Sequence, residues 1–428
     1  MTSQQRTFLF MPESAYGPTN NCIGIGNELL KRGHRVVFAA EASWKGKLAA
    51  LGFEEEPVDL AAGDADAPEE DAGAFWKDYI REISPQFVRS TAEQLETVTR
   101  PIWEELVAGA QYCEPQLKAI IERTGPDVII EDNVLTFPAL ITAGVPFVRI
   151  VSCNPLELPG DGIAPAFSGL PEDDTEAHAA FRAEYDRTHR ALWSSFNQWV
   201  QQQGTLPLPD LQFAHAGDLN LYVFPEVLDY TAERPLDASW QRLESSVRET
   251  DAAPEVPEEF LASDKPLLYF SLGSLGSADV ALMRRVIAAL DGGDYNVIVS
   301  KGPLHEEFEL PQGMWGAEFL PQTRIVPLVD LVITHGGNNT VTESLHFGKP
   351  MLVLPLFWDQ YDNAQRVQEK GFGRRIDTYR FAPQELRTAI DQLLTDCELR
   401  DRVAAAGEKI RSASGIVRAA DLIEGLAR

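Results

Sequence analysis

Three short stretches in the second half of the chain bring together residues able to hold a phosphorylated sugar. The first, Ser271-Leu272-Gly273-Ser274-Leu275-Gly276-Ser277, follows an apolar run. Its small residues allow backbone N–H groups close to a phosphate, and its hydroxyls add donors. A plain strand-to-helix turn capped by Ser277 is the alternative. The second, Thr334-His335-Gly336-Gly337-Asn338-Asn339-Thr340, stands between a strand-like run and a helical segment reaching about Phe347. Two glycines clear space there, while the imidazole, the amide and hydroxyl groups and the helix N-terminus all present donors, which suits a pyrophosphate. One turn on, the Glu343 carboxylate can accept two ribose hydroxyls, although its spacing from Thr340 also fits a capping box that needs no ligand. The third is Pro355-Leu356-Phe357-Trp358-Asp359-Gln360, where Asp359 accepts and Gln360 both donates and accepts, as a hexose requires; Asp359 also suits a helix N-cap. Phe319, before Pro321-Gln322, offers a ring to a nucleobase or to the core.

Stepwise alternation of strand-length apolar runs with helix-length segments positions these groups. Runs at 7–11, 35–39, 128–131, 147–151 and 219–224 alternate with helices expected at 21–32 and 134–143; a second series follows at 267–271, 295–300, 314–320, 331–334 and 351–354. Parallel strands joined by helices require doubly wound sheets, which bind ligands at strand carboxyl ends. Stretches 61–123 and 155–216 read as helical excursions, and the proline-punctuated stretch 225–266 as the domain junction.

The formal charge of −28, from 65 acidic and 37 basic residues, argues against nucleic acid or an anionic membrane surface as partner. Four dispersed cysteines without metal-ligand spacing read as thiols in a reducing compartment. With no run of eighteen apolar residues, the protein is expected in the cytosol without stable membrane insertion.

Taken in order, Phe319-Leu320-Pro321-Gln322, His335-Gly336-Gly337-x-Asn339-Thr340-x-x-Glu343, Gly348-x-Pro350, Pro355, Asp359-Gln360 and Asn363 resemble the signature of the UDP-glycosyltransferase superfamily, including its bacterial natural-product and macrolide-type members. The resemblance implies an α/β GT-B fold of two Rossmann-like domains facing a cleft. An acceptor-binding domain is expected over 1–224, a linker over 225–265, a donor-binding domain over 266–410, and a helix over 411–428 packing back toward the first domain. It implies a hexosyltransferase that inverts the anomeric carbon, forming a β-glycoside on a hydrophobic small molecule. The co-substrate would be a UDP- or dTDP-sugar, with no metal or other cofactor, because helix dipole and side-chain donors neutralise the leaving diphosphate. His335, Asn339, Thr340 and Ser274 are then phosphate contacts, Glu343 the ribose contact, Asp359 and Gln360 sugar contacts and Phe319 the base-stacking ring, with Gly273, Gly337 and Gln322 completing the donor set. A monomer or homodimer is expected.

One departure stands out. The family's histidine base, counted back from Gly33-His34, falls on Pro18, and no histidine precedes His34. Asp132 is the first substitute, in a context where the family carries an aspartate; a cap on the next helix is the alternative. Glu13 is a second candidate, with Tyr16 and Asn20 as acceptor-orienting groups. His34, at the far end of the first helix, reads as structural. Aromatics including Phe75, Trp76, Tyr79, Phe87, Trp103, Trp193, Phe196 and Trp199 favour an apolar acceptor as a set, though each singly suits a core. The missing histidine also admits a catalytically silent homologue that activates a partner, and the fold admits a nucleotide-sugar epimerase.

Overall fold

The computed structural model describes residues 4–13, 15–61, 74–158, 160 and 162–427, with only the backbone of 74–78. Seven parallel strands form the first sheet: β1 (Thr7–Pro12), β2 (Arg35–Ala40), β3 (Glu54–Pro57), β4 (Val128–Asp132), β5 (Phe147–Val151), β6 (Leu219–Tyr222) and β7 (Trp240–Arg242), in the order β3-β2-β1-β4-β5-β6-β7. Six more form the second: β8 (Leu267–Ser271), β9 (Asn296–Ser300), β10 (Met314–Ala317), β11 (Leu331–Thr334), β12 (Met351–Val353) and β13 (Gly373–Arg375), in the order β10-β9-β8-β11-β12-β13. Helices cover both faces of each sheet, so the central strands β4, β5, β8 and β11 are buried along their whole length and read as mainly apolar runs rather than as alternation, with Glu131, Asp132 and Arg149 the buried charges among them.

Three strands escape the periodicity for a physical reason. β3 (Glu-Glu-Glu-Pro), β7 and β13 (Gly-Arg-Arg) are sheet edges or their neighbours with exposed or half-buried residues, so they carry no apolar run. β7 lies inside the proline-punctuated stretch 225–265, extending the first sheet to Arg242 through pairing of Asn220 with Trp240.

Two helices differ from expectation. The first spans Tyr16–Lys31, five residues earlier than the apolar pattern, and admits Pro18 because first-turn residues have no intrahelical N–H partner to lose. The helix expected at 134–143 shrinks to the single turn Pro138–Ile141. Pro138 forces Phe137 out of helical geometry, and the chain before it is anchored by Thr136 N–H donating to the Phe213 carbonyl (2.8 Å).

The C-terminal helix Gly415–Glu424 returns to the first domain. Arg32 of the first helix donates to Asp421 (2.7 Å) and Glu424 (2.9 Å), and buried His34 contacts Glu424 (3.1 Å), which gives that histidine a structural place. Across the cleft, the helix Gln360–Glu369 locks the two domains together. Arg366, 1% exposed, donates to the carbonyls of Leu228 (2.6 Å) and Asp229 (2.5 Å), pairs with Glu172 (2.7 Å) and lies over the Tyr230 ring (4.1 Å). Asp362 on the same helix accepts from the N–H groups of Phe167 (2.6 Å) and Gly169 (2.8 Å).

Candidate active site

Strand order reverses between β1 and β4 in one sheet and between β8 and β11 in the other, and such reversals open a crevice at the strand carboxyl ends. In the first sheet Pro12 pairs with Asp132, which places Glu13 beside it; in the second Ser271 pairs with Thr334, which places Gly273 beside His335. The two crevices face each other, so residues of both domains share one cleft.

On the second domain's wall the His335 ring is held between two glycines. A Cβ at Gly273 would stand 2.7 Å from its Cε1, and one at Gly337 would stand 2.5 Å from its Nε2. Gly273 also has φ +73°, a conformation that disfavours any side chain. Burial pulls the His335 pKa down to about 4, against a bond to the Ser271 backbone, so at neutral pH the ring is an uncharged hydrogen-bonding group. The helix Asn338–His346 starts at Gly337 with no side-chain cap, leaving its first N–H groups facing the cleft.

None of the four side-chain caps weighed in the sequence is formed. Thr340 is the third residue of its helix and Glu343 does not reach back to cap it. Ser277 closes the short helix Gly273–Gly276 by donating to the Gly273 carbonyl (2.6 Å), while Asp279 caps the next one. No helix begins at Asp132 or Asn133. Asp359 occupies an N-cap position, but its carboxylate accepts from the Asn154 N–H (2.9 Å) and from Asn363 (3.3 Å). Gln360 accepts from the N–H groups of Leu356 (3.1 Å) and Phe357 (3.4 Å), which folds the loop around it.

Several expected contacts have protein partners here. Asn339, expected at phosphate, accepts from Asn21 (2.9 Å) and donates to the Gly17 carbonyl (2.9 Å), both across the cleft. Glu343, expected at ribose, accepts from Arg248 (3.2 Å) and Gln322 (2.6 Å), and Gln322 also donates to Thr340 (3.2 Å). Ser274 is half-buried at the turn. Phe319 is 46% exposed with its ring centroid 5.5 Å from Tyr16, which in turn meets Trp44 at 5.2 Å. Tyr16, expected beside the acceptor, thus also faces the expected base-stacking ring.

On the first domain's wall, Asp132 accepts a hydrogen bond from the Ser152 hydroxyl, whose oxygen accepts from Asn21 (2.7 Å). The Asn21 amide also reaches Asn339, so one line of hydrogen bonds runs Asp132–Ser152–Asn21–Asn339 from wall to wall. Burial raises the Asp132 pKa to about 7, with the Ser152 bond opposing; burial and then the Asp132 charge raise Glu13 to about 8. Asp359 is raised to about 7, again by burial. Asn20 is half-buried at the start of the second turn of its helix, and the side chains of Phe75 and Trp76 lie outside the described residues. Phe87, Trp103 and Phe196 are core, while Tyr79, Trp193 and Trp199 are half-buried against it.

Sequence reasoning missed Asn21, Ser152, Arg248 and Trp358. Ser152 follows the end of β5, where the strand-end rule could have found it. Trp358 adopts φ +58°, uncommon for a bulky residue, and packs on Trp103 (5.1 Å) and Phe167 (4.5 Å), a wall built by both domains beside Asp359.

Raised carboxyl pKa values carry a consequence for stability. Unfolded carboxyls titrate near 4, so Glu13, Asp132, Asp359 and Asp362 (about 8) keep protons in the fold that the unfolded chain has lost. That contribution disappears as pH rises through about 7 to 8. The depressed imidazoles His189, His335 and His346 act in the opposite sense only below 6.5. The thermal midpoint of the unliganded protein should therefore fall by a few degrees between pH 6.5 and 8.5 in a calorimetric scan, and a rise over that window would contradict these shifts.

The family model described as "UDP-glucoronosyl and UDP-glucosyl transferase" matches residues 214–405, the part that carries the residues expected at the donor. The chain is a glycosyltransferase, and over that part it is similar to the UDP-glycosyltransferase family. Oleandomycin glycosyltransferase of Streptomyces antibioticus is 26% identical over 96% of this chain and 88% of its own length. The solved structure of the glycosyltransferase of kitacinnamycin superposes with a TM-score of 0.70 at 22% identity, covering 99% of this chain and 100% of that one. Glycosyltransferase VinC, solved in complex with dTDP, does so at 0.66 and 18% identity, covering 98% and 99%. The fold is GT-B, and the co-substrate of this glycosyltransferase is a nucleotide sugar. Among the described residues, no helix is long and apolar enough to cross a membrane.

Proposed function

We propose that the protein moves a sugar from a nucleoside diphosphate sugar to a hydrophobic natural-product-type acceptor, with inversion at the anomeric carbon and Asp132 as the general base. The hydrogen-bond line from Asp132 to Asn339 carries this reading: it sets a proton acceptor on one wall and the uncapped helix N-terminus, with His335, on the other. A single in-line displacement needs that opposition, because the acceptor oxygen must approach the anomeric carbon from the side away from the diphosphate. As the new C–O bond forms and the bond to diphosphate breaks, the acceptor proton passes to Asp132 and the developing phosphate charge meets the helix N-terminus and the neutral His335.

Two neighbouring carboxyls divide their roles by environment. The Ser152 bond favours the charged form of Asp132, whereas Glu13, more strongly raised and beside the Asp132 charge, keeps its proton at neutral pH. The wall-to-wall bonds of Asn21 and Asn154 imply that reactants enter by domain opening and that closure commits them. Half-buried Trp358, backed by the core rings of Trp103 and Phe167, supplies an apolar surface beside Asp359, which favours a hydrophobic acceptor, as does the oleandomycin relative.

The test is release of UDP or dTDP from a panel of nucleotide sugars, with and without phenolic, polycyclic and macrolide acceptors. Release that requires an acceptor is the expected result. Equal release without any acceptor, or none with every acceptor, would overturn the reading.

A further inference from the structure

The segment that follows β5 runs along the cleft and is tied down at several points. Ser152 donates to Asp132, the Asn154 N–H donates to Asp359 (2.9 Å), and the Asn154 side-chain amide donates to Asn363 (2.8 Å). The next turn, Pro155–Glu157, is clamped by Arg234, which donates to the carbonyls of Pro155 and Leu158. Glu157 stands close enough to the reacting groups that, after burial, its charge adds to the raised pKa values of Glu13, Asp132 and Asp359. Only one of its oxygens is engaged: Oε1 accepts from Arg149 Nη2 at 2.7 Å, the Glu157 side chain being 13% exposed and that of Arg149 7%. Arginine and carboxylate frequently close as a two-bond fork, and here the second arm is open. Among the described residues Glu157 Oε2 has no donor, and Arg149 Nε is buried without an acceptor. Glu131, in register with Arg149 on the neighbouring strand, leaves the gap open, with its own Oε1 buried and unpartnered.

We infer that Glu157 and Arg149 select the acceptor by a second hydroxyl, distinct from the one that takes the sugar, which bridges the open arm of their pair. A hydroxyl fits because the same oxygen donates to Glu157 Oε2 and accepts from Arg149 Nε–H. An ether only accepts. An ammonium only donates, and the guanidinium already balances the Glu157 charge. An acceptor without that hydroxyl leaves a desolvated charged pair incompletely bonded, so its rejection is stronger than the loss of one exposed contact. The inference rests on the transferase reading above and narrows its substrate class, from a hydrophobic acceptor to a hydrophobic acceptor with at least two hydroxyls.

The test starts from whichever acceptor gives the fastest acceptor-dependent release in the panel above. Each of its hydroxyls that does not take the sugar is removed or O-methylated, one at a time, and kcat/KM is measured for the full chain as wild type, Glu157→Gln and the double variant Arg149→Met/Glu157→Leu. At one position both the deoxy and the O-methyl derivative are expected to lose about 10–100-fold in the wild type, the range for a hydrogen bond to a charged group. The parent-to-deoxy ratio should shrink in Glu157→Gln and fall to within about twofold of unity in the double variant. A pair that only braces the fold would lower parent and deoxy derivative alike and leave the ratio unchanged. The double variant exchanges both charges for apolar groups together, so neither is left buried alone, and a fold lost in one variant leaves the ratio readable in the other. A best acceptor with a single hydroxyl, a deoxy loss that O-methylation does not reproduce, the absence of any such loss, or a ratio unchanged in the variants overturns the role of Glu157 and leaves the transferase standing. Failure of every acceptor to stimulate release overturns the transferase reading and this inference with it.

Discussion

Asp132→Asn should lower kcat for transfer to an alcohol acceptor by about 10²–10⁴, the usual range for losing a positioned general base. Asparagine keeps an oxygen for the Ser152 hydroxyl, so the line to Asn21 and Asn339 stays in place and the loss reports on proton transfer rather than on packing. The wild type should show kcat/KM rising with pH through about 7, as the raised Asp132 carboxyl ionises, and this limb should vanish in the variant. Acceptor acidity supplies a second readout. A phenol near its own pKa delivers its oxyanion without help, so the defect should shrink sharply as acceptors become more acidic. Near wild-type rates on an aliphatic alcohol, or a pH limb that survives the substitution, would assign the base elsewhere, with Glu13 next in line.

His335→Ala should lower kcat by about 10²–10³, comparable to removing one donor that stabilises a developing anion. The ring is neutral at working pH because burial pulls its pKa down to about 4, so it acts as an aimed dipole rather than as a charge. Two expectations follow from that. Binding of the nucleoside diphosphate should weaken less than kcat falls, since the bond strengthens as charge develops on the leaving phosphate. The rate should also show no step near pH 6.5 from this residue. Loss of nucleotide affinity equal to the loss of kcat would make His335 a ground-state contact only. The close fit of its ring against Gly273 and Gly337 means a larger side chain there would also shift both loops, so alanine is the cleaner substitution.

The donor wall was legible because its signals are local. Gly273 and Gly337 stand next to the turns they permit, the helix begins where Gly337 ends the strand, and the apolar runs of β8 and β11 mark strand ends that must face a cleft. Where the reading failed, a neighbouring residue overrode the pattern. Pro138 confined a ten-residue expectation to one turn, and Pro18 entered a first turn that the apolar period does not record. The contact of Tyr16 with Phe319 was not legible because domain closure, absent from any window of sequence, decides it.

By itself the sequence determined two doubly wound parallel sheets, the turns at Gly273 and Gly337 that line the cleft, and the absence of a histidine before the first helix. These depend on apolar runs, glycine conformations and strand ends, which are properties of a few consecutive residues. Only the tertiary structure decided what those groups touch. Asn21 meets Asn339 from more than three hundred residues away, Arg248 reaches Glu343 from the segment between the sheets, and Asn154 binds Asp359 across the cleft. Each pairing joins segments far apart along the chain, so its geometry follows from how the domains and the segment between them dock, and no periodicity along the chain encodes that.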